Sequence, residues 1–213
     1  MEPGGRLITI EGIEGAGKST QLRRLADWLR RPGRRVETTC EPDGAALGVE
    51  VRRLLGERPA LDPLAECFLF MAARAQHVRR VVRPWLDAGA VVVCDRFTDS
   101  TVAYQGYGRG VPLEVVTGLN RIATDGLVPL LTVVLDLDVA DGLARVHGRG
   151  TAVDPFEALG LEFHERVRKG YRAIHEREPD RVVLVDGSGP PDAVAAAVRH
   201  AVAARLGVGA AEP

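Results

Sequence analysis

The sequence predicts an α/β fold: a five-stranded parallel sheet with helices on both faces, a three-layer α/β/α arrangement in a single domain. Three observations predict it. Five short apolar runs rich in Val, Ile and Leu show little polar alternation, as strands buried on both faces do. Segments of helical period stand between those runs throughout the chain, and strand alternating with helix implies a parallel sheet with crossover helices. The chain has 213 residues and 46% hydrophobic content, enough for one substantial core. No repeat, low-complexity tract or domain boundary divides it.

The strands are expected at RLITIEG (6–12), RVETTC (35–40), AVVVCD (90–95), LLTVVLD (130–136) and RVVLVD (181–186). Helices are expected over 18–31, 45–56, 63–83, about 112–124, 139–147, 157–177 and 191–206, with Gly- and Pro-rich loops at 42–44, 106–112, 148–155 and 187–191. In the helix over 63–83, Leu64, Phe68, Met71, Ala75, Val78 and Val82 form one apolar stripe, read as core. Ligands of open α/β sheets bind beyond the carboxyl ends of the strands, so the loops after residues 12, 40, 95 and 136 are expected to converge on one site.

A net charge of −1 gives no basic field for generic nucleic-acid binding, although the cations are nearly all arginine, Lys18 and Lys169 being the two lysines. No segment has the ~20 apolar residues of a membrane span, and the N-terminus lacks the features of a signal peptide. Cys40, Cys67 and Cys94 are odd in number and irregularly spaced, which suits reduced thiols in a cytoplasmic protein.

Between the first strand and first helix, Gly12-Ile13-Glu14-Gly15-Ala16-Gly17-Lys18-Ser19, followed by Thr20, fits G-x-x-x-x-G-K-[ST]. Glycines let backbone N–H groups curl round phosphate oxygens, the helix adds its positive end, Lys18 reaches the terminal phosphates, and the Ser19 hydroxyl suits Mg²⁺. The motif points to ATP or another triphosphate and leaves the acceptor open: kinase, GTPase switch, motor and transporter subunit all use it.

Three strands end in aspartate, Asp95, Asp136 and Asp186. Asp95 is the favoured metal-side acid because Arg96 and a polar segment follow it at once. Asp136 enters a stretch suited to helix capping, and Asp186 a DGSGPP turn. Arg96 suits bidentate phosphate binding. If the chain continues as a helix, Ser100, Thr101, Tyr104 and Gln105 fall at i, i+1, i+4 and i+5 as a polar wall with one aromatic. Phe70 and Arg74 lie off the apolar stripe, placed to stack a planar base and bind its edge or to form a dimer seam, and His77 beside them is read as structural.

In order, IEGIEGAGKST, EPDG, FLFMAARAQHV, VVVCDRFTDSTVAYQGYGRG, VVLDLDV and DPFEALGLEFHERVRKGY resemble the thymidylate kinases, P-loop enzymes that pass the γ-phosphoryl group of ATP to dTMP. The resemblance implies that Phe70 stacks on thymine, Arg74 and Thr101 bind its edge, and Arg96 binds the dTMP phosphate. It implies further that Glu14 approaches the sugar 3′-hydroxyl and the metal, that Tyr104 stands where a ribose 2′-hydroxyl would go, and that Pro42, Ser100 and Gln105 line the pocket. It also implies a homodimer and a small mobile lid, about 148–156. Because Gly15 follows Glu14, the catalytic arginine is expected in that lid, as Arg145 or Arg149. Two departures stand against the family pattern. Cys40-Glu41-Pro42-Asp43-Gly44 for Arg-Glu-Pro-Gly-Gly loses an arginine and sets the acid Asp43 near a phosphate pocket, an expectation of weaker dTMP binding. Asp154-Pro155-Phe156-Glu157 for Asp-Arg-x-Glu loses a cation and favours Arg149. Another small acceptor, or a nucleotide-binding regulator without transferase activity, is the alternative.

Overall fold

In the computed structural model, which describes residues 6–57, 61–148, 156 and 159–207, five strands form one sheet in the order β2-β3-β1-β4-β5. They are β1 (Arg6–Glu11), β2 (Val36–Cys40), β3 (Val91–Asp95), β4 (Leu131–Asp136) and β5 (Val182–Asp186), and every neighbouring pair is parallel. Around them lie α1 (Lys18–Leu29), α2 (Ala46–Glu57), α3 (Pro63–His77), α4 (Arg83–Asp87), α5 (Thr98–Thr101), α6 (Leu113–Thr124), α7 (Val139–His147), α8 (Leu161–Arg177) and α9 (Pro191–Leu206).

The three inner strands meet the expectation of burial on both faces: Ile8, Ile10, Val92, Val93, Val133 and Leu135 are all within the core. The edge strands differ. Every residue of β2 is half-buried, as are Val183 and Leu184 of β5, because an edge strand has a neighbour on one side alone. The stripe expected along 63–83 also divides: Met71, Val78 and Val82 are buried, whereas Leu64 and Phe68 are exposed and lie on the outside of the molecule.

Local chemistry sets the helix ends. Asp62 caps α3, accepting from Leu64 N and Ala65 N, with Pro63 at the first position, where no N–H is needed. Beyond His77 the helix widens into a π-helical turn over Val78–Val82, where Arg83 N donates to Val78 O. Pro84 has no N–H for the residue 80 carbonyl, which favours such a rearrangement of the ladder. A second widened stretch, Val102–Gly108, continues α5, so the expected helix beyond residue 101 is π rather than α in pitch.

Candidate active site

The P-loop is held from below by close backbone packing. Gly15 has a φ of 75°, and a Cβ there would lie 2.1 Å from the Gly142 carbonyl oxygen of α7, so the tight approach admits glycine alone. Gly17 (φ 92°) turns the chain into α1, and Lys18 folds back to donate to Gly12 O at 3.1 Å and Ile13 O at 2.8 Å. Burial first, and then the Arg96 guanidinium, push the Lys18 ammonium down to about 8.

One cavity of about 600 Å³ lies beyond the carboxyl ends of β1, β2 and β3. Glu14, Gly15, Gly17, Lys18, Ser19 and Thr20 line one side of it. Pro42, Phe70 and Arg74 line another, and Asp95, Arg96, Ser100, Thr101, Tyr104 and Gln105 a third. The loop after β4, expected to join them, contributes no lining residue: Asp136 turns toward α8 and pairs with Arg168 (2.8 Å) and Arg172 (2.7 Å). Asp138 caps α7 through Ala140 N, and Asp186 accepts from Ser188 N in its turn. Of the three strand-end acids, Asp95 reaches the P-loop, accepting from the Ser19 hydroxyl at 2.9 Å. Gly12 and Ala16 do not line the cavity. Gly12 lies against the Leu135 carbonyl, and Ala16 is buried.

At the centre, Arg96 adopts φ 66°, a left-handed conformation that costs a non-glycine residue on the order of 1–3 kcal/mol and persists where the surroundings enforce it. Its guanidinium pairs with Glu14 at 2.8 Å, donates to Ser100 Oγ at 3.3 Å, and lies 4.8 Å from the centroid of the Tyr104 ring. Tyr104 OH donates to the other Glu14 oxygen at 2.5 Å, and His164 Nδ1 lies 3.3 Å from it. Burial alone would push the Glu14 carboxyl up. Arg96, with His164, Lys18 and Tyr104 around it, outweighs burial and holds that carboxyl well below the usual carboxylate range.

Arg74 is buried in the cavity wall, bound to Glu41 at 2.6 Å and donating to Thr101 Oγ1 at 2.8 Å, Asn120 Oδ1 at 2.6 Å and Phe97 O at 2.9 Å. His77, also buried, spans Thr39 Oγ1 (2.7 Å) and Glu41 Oε1 (3.2 Å), a structural placement as expected. Gln105 donates to the buried Glu66 carboxylate, which Arg109 pairs at 2.9 Å. Phe156 enters the cavity wall with its ring 5.9 Å from Phe70 and 6.1 Å from Tyr104.

Arg145 points elsewhere: its guanidinium donates to Gly187 O and Ser188 O on the loop after β5, and it does not line the cavity. Arg149, Asp154, Pro155 and Glu157 lie outside the described residues. Sequence reasoning passed over Glu41, Arg52, His164 and Phe156. Arg52 lines the cavity and holds Asp43 at 2.6 Å, so the acid that replaces a glycine in the expected motif has a cation beside it.

The family model for thymidylate kinase matches residues 10–198. The chain belongs to the thymidylate kinase family. It is 53% identical over 199 residues to the thymidylate kinase of Solidesulfovibrio magneticus, an alignment covering 90% of this chain and 95% of that one. It is 48% identical to that of Caulobacter vibrioides, covering 96% and 99%. A solved structure of thymidylate kinase from Ehrlichia chaffeensis superposes with a TM-score of 0.77 at 34% identity, covering 94% of this chain and 99% of that one. The activity is that of a thymidylate kinase, ATP-dependent phosphorylation of dTMP to dTDP, and the alternatives of another acceptor or an inactive regulator are not favoured. No helix among the described residues is long and apolar enough to cross a membrane.

Proposed function

We propose that dTMP lies along the wall formed by α3 and the β3–α5 connection, with its phosphate toward Arg96 and the γ-phosphoryl of ATP delivered from the P-loop. The observation that carries this reading is the single cavity shared by Phe70, Arg74, Thr101 and Tyr104 at one end and by Lys18 and Ser19 at the other. Phe70 stacks on the base, Arg74 and Thr101 bind its edge, and Ser100, Gln105 and Pro42 complete the wall. Glu14 takes the sugar 3′-hydroxyl. Tyr104, locked onto Glu14, fills the space a ribose 2′-hydroxyl would need.

A phosphate monoester has its second pKa near ~6, so the acceptor oxygen is mostly dianionic at neutral pH and needs no general base. Transfer then rests on alignment and charge neutralisation, tasks for Lys18, Arg96 and a lid arginine, Arg149. The hydroxyl of Ser19 against the Asp95 carboxylate is a hard-oxygen donor set suited to Mg²⁺, which takes few protein ligands and completes its shell with phosphate and water. When bound, the ion neutralises phosphate charge; Ser19 and Asp95 would hold it. Glu14, the other acid expected near the metal, is already engaged by Arg96 and Tyr104, which favours Asp95.

The homodimer and the cytoplasmic setting belong to the same reading. Phe68 and Leu64 on α3 and Val115 and Ile122 on the adjoining α6 are exposed apolar residues that fit a seam, whereas Met71 faces the core. Sedimentation at micromolar concentration checks this: a monomer removes it. For the acceptor, an ADP-release assay over dTMP, dUMP, AMP, GMP and shikimate is expected to give turnover with dTMP above all others. Equal or greater turnover with another acceptor rejects the assignment of the wall to dTMP.

A further inference from the structure

Glu11, the last residue of β1, is fully buried, does not line the cavity, and among the described residues has no cation in hydrogen-bond contact. Three uncharged donors from separate elements converge on it. Phe97 N donates to Oε1 at 2.7 Å, while Ser100 Oγ and Tyr171 OH donate to Oε2 at 2.5 Å and 2.9 Å. An apolar side chain would suit the end of this strand as well as its neighbours Ile8 and Ile10 do, so the acid answers to those donors.

The peptide joining Arg96 to Phe97 is the one Glu11 grips. Its N–H is held by Glu11 Oε1, and its carbonyl accepts from the Cys94 thiol at 3.0 Å, while Arg96 N donates to Ile10 O at 3.0 Å. Both peptide planes flanking the left-handed Arg96 are thereby tied to β1 and β3. With the first plane anchored, rotation about φ of Arg96 carries Cβ and the second plane together, so releasing the second plane would let the Arg96 Cα–Cβ direction swing away from Glu14 and Tyr104. We propose that Glu11 is a positioning residue for the phosphoryl transfer: its carboxylate fixes the peptide after Arg96 and so sets the line along which that guanidinium meets the acceptor phosphate. Ser100 and Tyr171, themselves 3.0 Å apart, brace the carboxylate from α5 and α8.

The inference rests on the reading that Arg96 receives the dTMP phosphate, and the test separates the two. Glu11→Gln keeps an acceptor for Phe97 N, and the Ser100 and Tyr171 hydroxyls can turn to accept from its amide, so constants for both substrates stay within about threefold of wild type. Glu11→Met keeps the length and removes the acceptor. A sub-ångström to ångström displacement of a positioned group costs up to roughly 100-fold, so kcat/KM for dTMP is expected to fall about 10- to 100-fold while KM for ATP holds within about twofold. In an Arg96→Ala background, Glu11→Met is expected to add no further loss, because it acts through Arg96. An undiminished loss in that background, an equal loss for both substrates, or a Gln variant as impaired as the Met variant overturns the proposal. If Arg96→Ala alone leaves kcat/KM for dTMP unchanged, the role given to Arg96 fails, and the proposal with it. Should Glu11→Met not fold, Glu11→Asp withdraws the carboxylate from Phe97 N with its charge kept: a dTMP-specific loss supports the proposal and wild-type constants refute it.

Discussion

Replacing Glu11 by Gln is expected to change how stability depends on pH. Burial first, and then the neighbouring Asp99 carboxylate, push the Glu11 carboxyl up from 4.5 to about 7. The hydrogen bonds from Ser100 and Phe97 N and the more distant Arg96 oppose that rise without cancelling it. Among the described residues Tyr171, Lys18 and the Cys94 thiol are further titratable groups that couple to it. A carboxyl whose folded pKa lies above its unfolded value binds more protons in the folded state, so its contribution is full below about 4.5 and is lost as pH rises toward about 7. At about 1.4 kcal/mol for each pH unit between the two values, the whole loss is about 3 kcal/mol, of which about 2 kcal/mol falls between pH 5.5 and 8.5. The Gln variant lacks this loss while sharing every other titration. Wild-type stability minus variant stability should therefore decline by about 2 kcal/mol across that range, a change of about 4–8 °C in the separation of melting temperatures for a chain of this size. Urea midpoints and thermal melts of both proteins at several pH values measure it directly. Parallel curves would refute the reasoning, since they require Glu11 to titrate alike in the folded and unfolded chains.

Three other substitutions or conditions give separate outcomes. Arg149→Ala is expected to lower kcat by roughly 10³-fold or more with little change in ATP affinity; near-normal turnover removes the lid assignment. Arg74→Met takes the guanidinium from the buried Glu41 carboxylate, and breaking such a buried pair by removing one partner costs about 3–5 kcal/mol. Its melting temperature should drop by about 6 °C or more, and a drop below about 2 °C refutes that cost. On the acid side, Glu14 and Glu41 both have depressed pKa values: burial alone would raise them, and the guanidinium of Arg96 or Arg74 overrides it. Their stabilisation is present above about 4.5 and is lost as pH falls through the depressed values, so Glu41→Gln should flatten the decline in urea midpoint between pH 5 and 3; an unaltered decline rejects that account.

Much of this was legible in the chain because the relevant signals are local. A P-loop is contiguous, and its glycines mark the turns where backbone approaches backbone, as Gly15 does against Gly142. The inner strands announced themselves by unbroken apolar runs. Periodicity could not tell the sheet edge from its centre, so β2 read as deeply buried, and it could not tell core from outer face on α3, so Phe68 read like Met71. Asp43 looked like an uncompensated acid because its cation, Arg52, sits nine residues away on another element, and no rule of spacing joins a loop residue to a helix it has yet to meet. Asp95 was separable from Asp136 by what followed it. That Asp136 belongs to α8 depended on Arg168 and Arg172, more than thirty residues on.

Glu11 and Glu14 show what sequence position leaves undecided about charge. They stand three residues apart, both are buried, and both face the polar segment after β3, yet one carboxyl is raised and the other lowered. The difference lies in the partners. Glu14 meets a guanidinium at 2.8 Å and an ammonium nearby, which favour its ionised form. Glu11 meets an amide and two hydroxyls, which satisfy its oxygens without supplying a charge, and the Asp99 carboxylate works against its ionisation. An acid held in that way acts as an acceptor of fixed direction rather than as a counter-ion. That is the property needed to hold a strained arginine in place without competing for its positive charge, which is left to Glu14 and the acceptor.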